Sequence, residues 1–559
     1  MKTNYFPPKS SAFPLSLLLL LALLPGCKKD LGNYDYRTTN KVSFNDPPQS
    51  GYSFITGQEG VLAAPIQLTE SLQDTAATFD IGWYLGSERI FTGPVLHYTF
   101  EQPGQFKLYL KVINKETQET YLSSAYDLQV ISNFEWGWLI LSDRGDTSSL
   151  SIIDPDLRCS HRIYEPSNDN QILGSGPLGI FYYYVYESIE GFYVGGDAKI
   201  LINQRSGNLT LDASRLLPDM WLRDEFTGGK EPENLKIDKF FFKELYYGIL
   251  DSLGEIYLRR VDRENSKIPY YGKYTALPED FDGQGTHIAC LQNFDFFNKN
   301  LRSCIDFTIL YDDKNARFIG LFEPTSTLTS PAITYFHNYD QELVVPGDVL
   351  KVNEMGQGTR VLGITTWEGM DLDYSWGDIP GVTPYSTIYS LIDKGGTGEY
   401  YIHDWTLKNY KESNHLITDT HQLLFSGSSI LTEKSIIRLS PNFEDNPYSY
   451  FTDGNGSLYI HDIRNNAYTL AYETDQPIKD IYASPVVSTF KNYGGNPDYP
   501  NWRLALVLED NTVEVIDVSK ANSQQLFLGL KPDLHLATFD GFGEIKGMIW
   551  ATRGFSGEY

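Results

Sequence analysis

"WLILSDRGDTSSLSIID", residues 138–154, places two apolar runs on either side of a polar turn. Trp138 to Leu141 and Leu150 to Ile153 carry the large and β-branched side chains that favour strands. Between them, Arg144-Gly145-Asp146 supplies glycine and aspartate, which tight turns need. The stretch reads as a β-hairpin, and its texture recurs. "FYVGGDAKILINQ" begins at Phe192, "YYGILDSLGEIYLRRVD" at Tyr246 and "RFIGLFEP" at Arg317. "IYSLIDKGGTGEYYIHD" begins at Ile388, "SYFTDGNGSLYIHDI" at Ser449 and "RLALVLEDNTVEVIDV" at Arg503. Successive starts lie 54 residues apart at the closest and 71 at the widest. That spacing suits one four-stranded blade per repeat, and a repeat of this length decides the fold ahead of any single segment. Seven hairpins predict an all-β domain over residues 133–559, a seven-bladed β-propeller. "EIKGMIWATRGF", residues 544–555, is expected to complete the first blade and close the ring. Helical periodicity is nearly absent after residue 134, which disfavours an α/β enzyme.

Residues 49–132 have a different pattern. "TFDIGWYL" is one strand, with Trp83 as a core residue. In "HYTFEQPGQFKLYLKVIN", Phe106, Leu108, Leu110 and Val112 alternate with Lys107, Tyr109 and Lys111. One face is therefore buried and the other wet, and Pro103-Gly104 makes the turn before it. "AYDLQVI" ends the set near Ile131. Tyr98-Thr99-Phe100, Gly104, Phe106, Leu108, Leu110 and Val112 resemble the closing hairpin of a PKD-type, Ig-like β-sandwich. "FDIGWYLG" stands where that family carries W-D-F-G-D-G, so the domain is a divergent one.

The N-terminus gives an address. Lys2 and Lys9 form a basic leader, and Leu15 to Leu24 an apolar run of ten residues. A membrane-spanning helix needs roughly 20, so residues 1–26 read as a secretory signal. Leu24-Pro25-Gly26-Cys27 resembles the bacterial lipobox, which implies lipidation of Cys27. One acyl chain holds a protein only marginally, at about 0.8 kcal/mol per buried methylene. Lipoproteins of this kind carry several chains. Residues 27–48 then form a tether. Lys28-Lys29-Asp30 resemble the short charged stretches that route Bacteroidetes lipoproteins to the cell surface, with the inner leaflet as the alternative.

The order of lipid anchor, Ig-like domain and the tryptophan-opened hairpin "EWGWLILSD" resembles the PKD-like family of Bacteroidetes outer-membrane lipoproteins. The resemblance implies a non-catalytic binding or accessory role beside a TonB-dependent (SusC/SusD-type) transporter and its surface lipoprotein, in the import of peptides or glycans. No catalytic residue follows from it.

Acidic residues outnumber basic ones by 72 to 45, a net charge of −27. Such a surface repels phosphate backbones, which excludes nucleic acid as a partner. With Cys27 lipidated, three of the four cysteines remain. Cys290 and Cys304 flank the turn Asn298-Lys299-Asn300, and either a disulfide or two buried thiols fits. A bridge would be worth about 3 kcal/mol. Nothing resembles C-x-x-C.

The search for chemistry yields no nucleophile. H-E-x-x-H and G-x-S-x-G do not occur, and "LGSGPLG" has the composition of the latter without its spacing. A glycosidase needs only two carboxylates roughly 5 to 10 Å apart, so a surface hydrolase working at the propeller's central face is the rival reading. His403 and His461 sit in matching "YIHD" strands and read as structural, each followed by an aspartate able to fix it. "DFDGQG" (280–285) and "TDGNGS" (452–457) bring oxygen donors near glycines, so calcium is a possible cofactor, although both suit hairpin turns. No other cofactor and no metal centre is expected. Arg144-Gly145-Asp146 spells an adhesion tripeptide inside a turn.

"TTWEGMDLDYSWGDIPGVTPY" lies between expected blades. It spreads Trp367, Tyr374, Trp376 and Tyr385 among acids, glycines and prolines. Such rings either form a ligand-binding face or plug the gap between blades. "LLPDMWLRDEFTGGKEPEN", around Trp221, is a second loop of this kind.

Overall fold

The computed structural model describes residues 42–45, 52–56, 59–68, 78–100, 104–131, 134, 137–189, 192–233, 235–243, 246–260, 272–280, 283, 285–291, 307–322, 332–369, 385–395, 397–408, 416–439, 447–484 and 503–551. The signal segment, Cys27, Cys304, Tyr374 and Trp376 lie outside the described residues. The chain divides into two compact units, which cut the strand Gly104–Asn114 between them.

The first unit comprises Met1–Pro47, Leu62–Leu96 and Tyr109–Ala125. Val42–Phe44 pairs antiparallel with Ile66–Leu68. Phe79–Leu85 and Glu88–Thr92 form a hairpin whose turn uses Gly86 at φ +59°, a conformation that costs glycine little. Trp83 is fully buried here, and its indole N–H donates to the Gly93 carbonyl at 2.9 Å. Further on, Leu110 and Val112 are buried while Lys111 opposes Leu122.

The second unit comprises Pro48–Val61, His97–Leu108 and Tyr126–Tyr559. Its N-terminal part pairs residues 104–108 antiparallel with Tyr126–Ile131, which in turn runs parallel to Tyr52–Ile55.

From Gly137 onward the described residues form seven successive antiparallel sheets. The first holds Gly137–Asp143, Ser148–Ile153 and Cys159–Ser160, and is completed by Glu544–Ala551 from the far end of the chain. The second holds Pro177–Ile189, Phe192–Gln204, Leu209–Asp212 and Pro218–Trp221. The third has three described strands, Ile237–Lys243, Tyr246–Asp251 and Ile256–Arg260. The fourth has Ile288–Leu291, Phe307–Asp312, Arg317–Phe322 and Ala332–Tyr335. The fifth has Arg360–Gly369, Tyr385–Asp393, Tyr400–Lys408 and Leu416–Leu424. The sixth has Ile437–Arg438, Tyr448–Thr452, Ser457–Asp462 and Ala467–Glu473. The seventh has Ile478–Ala483, Arg503–Leu508, Val513–Asp517 and His535–Phe539.

Each sheet is apolar on both faces, and each consecutive pair shares a core. Leu150 and Ile200 meet between the first and second sheets, Leu201 and Ile249 between the second and third, and Leu258 and Leu310 between the third and fourth. Phe318 and Trp405 join the fourth to the fifth, Ile402 and Phe451 the fifth to the sixth, and Leu458 and Leu506 the sixth to the seventh. Val507 and Trp138 then join the seventh to the first. One close approach depends on glycine. A Cβ on Gly248 would stand 2.0 Å from the Phe241 ring, so only glycine lets that ring cross the ladder.

The hairpin turns explain why these sheets form where they do. Gly145 and Asp146 adopt φ of +65° and +68°, the mirror-image turn that matches strand twist. An aspartate at or just past the end of the preceding strand then accepts the turn's N–H groups. Asp143 accepts from Asp146 at 2.7 Å, Asp251 from Leu253 and Glu255 at 2.8 and 2.9 Å, and Asp510 from Thr512 at 3.0 Å. The structure shifts two hairpins expected from sequence. "FYVGGDAKILINQ" is one strand, Phe192–Gln204, whose hairpin is completed by Leu209–Asp212. "RFIGLFEP" opens no blade but is the third strand of the fourth sheet, whose hairpin begins at Phe307.

Candidate functional site

The aromatic segment around Trp367 is not a connection between sheets. Trp367 lies in the first strand of the fifth sheet and Tyr385 opens the second, so residues 370–384, outside the described set, link two strands of one sheet. Two rows of register partners cross the four strands. One row is Trp367, Thr387, Thr406 and Asp419. The other is Thr365, Tyr389, Asp404 and His421. Register partners share a face and side chains alternate, so Thr387, Thr406 and Asp419 belong to one face of the sheet with Thr365, Tyr389, Asp404 and His421; the side chains of Trp367 and Tyr385 lie outside the described residues. Tyr385 is paired with Gly369, two positions from the Trp367–Thr387 pair.

The outer half of this face is rich in hydrogen-bonding groups. The Thr387 and Thr406 hydroxyls are 2.9 Å apart. His421 lies with Nδ1 3.1 Å from an Asp404 oxygen and Nε2 3.4 Å from an Asp419 oxygen. Asp404 is 22% exposed, Asp419 52% and His421 62%. Burial raises the Asp404 carboxyl above its ordinary range, against the opposing pull of His421. The hydrogen bond to Asp404 raises the His421 imidazole, and burial only partly offsets it. Sequence reasoning missed this cluster. It stopped at His403, whose neighbour Asp404 points to the other face.

His403 and His461 are packed between sheets. His403 Nε2 donates to the Leu350 carbonyl at 3.0 Å, and its Nδ1 is buried without a partner among the described residues. His461 lies between Ser449 Oγ at 3.2 Å and Asn466 Oδ1 at 3.0 Å, with Phe425 edge-on to its ring. Burial pushes both imidazoles down to about 4, so they are neutral at physiological pH. The following aspartates do not fix them, because adjacent strand residues face opposite ways. Asp404 instead meets His421, and Asp462 accepts from the N–H groups of Arg464 and Asn465.

Trp221 ends the fourth strand of the second sheet and is 36% exposed. Its ring packs on Gly207, where a Cβ would stand 3.1 Å away, and the Arg223 guanidinium lies 5.3 Å from its centroid. The ring therefore packs on its own chain and remains exposed to solvent. Just beyond it, Glu225 and Arg259 form a buried ion pair at 2.5 Å. Tyr247 and Tyr274 stack on that guanidinium at 4.8 and 5.5 Å. The pair anchors the Trp221 loop against the third sheet.

The remaining expectations meet structural duties. Among the described residues Cys159 and Cys290 are not disulfide-bonded; Cys304, the expected partner of Cys290, lies outside the described residues. Burial pushes the Cys159 thiol up to about 11 and the Cys290 thiol up to about 12, so neither supplies a thiolate near neutral pH. Asp280 accepts from the N–H groups of Gly283 and Gly285, and Asp453 from those of Asn455 and Ser457. These are turn geometries, and no carboxylate cage converges at either glycine-rich stretch among the described residues. Arg144 of the adhesion-like tripeptide is tied by its guanidinium to the Phe542 and Gly541 carbonyls.

Solved structures of low identity align with much of the chain. A quinonprotein alcohol dehydrogenase-like protein from Bacteroides thetaiotaomicron is 11% identical, with 92% of this chain and 96% of that chain covered and a TM-score of 0.35. The dihydro-heme d1 dehydrogenase NirN is 8% identical, with 91% and 80% covered and a TM-score of 0.32. The N-terminal domain of Nup159 is 8% identical, with 69% and 87% covered and a TM-score of 0.31. No property of these proteins is carried over at such scores. No curated protein matches the sequence. Residues 27–177 match the PKD-like family, so the N-terminal part of the chain carries a PKD-like family domain.

Proposed function

We propose that this chain is a lipid-anchored lipoprotein of the bacterial outer membrane, exposed at the cell surface. It captures a peptide or glycan for a TonB-dependent, SusC/SusD-type importer without turning it over. Cys27 is the lipidated residue, and residues 137–551 form a closed seven-bladed β-propeller that holds the ligand-binding groups rigidly. The observation that carries the reading is the face of the fifth sheet. There a hydroxyl pair, Thr387 and Thr406, lies beside a partly exposed Asp–His–Asp cluster, on strands that also carry Trp367 and Tyr385. A few fixed polar groups on strands that carry aromatic residues suit a small binding site. The N-terminal PKD-like match and the anchor sequence support the location.

The double variant Trp367→Ala/Trp376→Ala tests it. Each stacked ring contributes on the order of 1 kcal/mol beyond buried area, and about 1.4 kcal/mol is one decade of affinity. Binding to peptide or oligosaccharide mixtures is expected to weaken at least about tenfold, with the melting temperature unchanged. A large fall in melting temperature would make the rings core plugs and remove them from the binding face.

A further inference from the structure

His421 and its two carboxylates have a property beyond ligand contact. Asp404 is its cross-strand partner, and Asp419 lies two residues back on its own strand. Both ring nitrogens face carboxylate oxygens, at 3.1 and 3.4 Å. A neutral imidazole has one N–H and one lone pair; only the imidazolium donates from both nitrogens. In the neutral ring one lone pair would point at a carboxylate. The Nδ1–Asp404 contact is a hydrogen bond and the Nε2–Asp419 contact an ion pair, so only the charged ring serves both carboxylates.

We infer that Asp404–His421–Asp419 is a pH-operated switch on the outer strands of the fifth sheet. The imidazolium closes it and offsets one of the two carboxylate charges. Deprotonation breaks one contact and frees one carboxylate as an acceptor, while the remaining N–H holds the other. The charged groups acting on the ring are Asp404 from the third strand and Asp419 from its own. The row continues inward through the Tyr389 phenol and the Thr365 hydroxyl. Because Asp419 lies in register with Thr406 and Thr387, opening the switch would change the acceptor offered beside that hydroxyl pair. That last consequence rests on the proposed binding function, whereas the switch itself does not.

The test is an NMR titration of the His421 ring in the full-length protein, assigned with His421→Asn. The ring is expected to titrate above the ordinary value of 6.5. Its midpoint should fall by on the order of half a pH unit in Asp419→Asn, an exposed change that spares the fold. Asp404→Asn should lower it further. A wild-type midpoint at or below 6.5, or one unmoved by Asp419→Asn, would overturn the switch. The titration uses no ligand, so a failure of the binding function would leave its outcome intact.

Discussion

A chain ending at Gly543 is expected to lose the cooperative fold of its sheet-repeat region. Glu544–Ala551 pairs with all seven residues of Gly137–Asp143. Its side chains Ile545 and Met548 are 4% and 3% exposed, and Trp550 packs edge-on against Trp138 at 4.7 Å between ring centroids. Removing the strand strips the core shared by the first and seventh sheets and bares an edge that invites aggregation. Losing the burial of Ile545 and Met548 alone costs on the order of 5 kcal/mol. A typical domain is stable by about 5 to 15 kcal/mol, so the truncated chain should aggregate or melt far below the full one. Circular dichroism melting of the two proteins checks this. A soluble truncated monomer with an unchanged melting temperature would deny that this strand closes the ring.

Mild acid should destabilise the protein through His403 and His461. Both are buried, and both are held down to about 4 in the folded state against 6.5 for an ordinary imidazole. Above pH 6.5 the rings are neutral whether the chain is folded or not, and their contribution is fully present. Between 6.5 and 4 the unfolded chain takes up protons that the folded chain refuses, so stability falls with pH. Each pH unit in this window costs about 1.4 kcal/mol per ring, or about 2 kcal/mol per ring by pH 5. Urea unfolding at pH 7 and pH 5 measures the loss. His403→Phe with His461→Gln should flatten the dependence even if it lowers stability at pH 7. An equal acid loss in that variant would assign it to other groups.

The sheets were largely legible because their signal is local. Apolar runs ended by Asp and Gly mark strand and turn within a few residues, and the N–H acceptors at Asp143, Asp251 and Asp510 are the physical content of that pattern. The fourth hairpin was misplaced because "RFIGLFEP" reads as an opening strand, whereas the Asp312-Asp313-Lys314-Asn315 stretch before it is the turn that joins it to "FTILYD". The site was harder to read. Trp367 and Tyr385 looked like loop residues because glycine and acids surround them, yet long strands carry them. His421 gained meaning only from the cross-strand register that brings Asp404 beside it. The Glu225–Arg259 pair joins residues 34 apart through a loop and a sheet, which no periodicity reveals.

Capture without turnover is the central claim. Its most direct test incubates the purified full-length protein with defined mixtures of peptides and oligosaccharides, then analyses bound and free pools by mass spectrometry. One class of ligand should be retained and recovered chemically unchanged, with no product accumulating over time. Steady release of cleavage products, abolished by changing a single acidic residue, would contradict the account and make the protein a surface hydrolase.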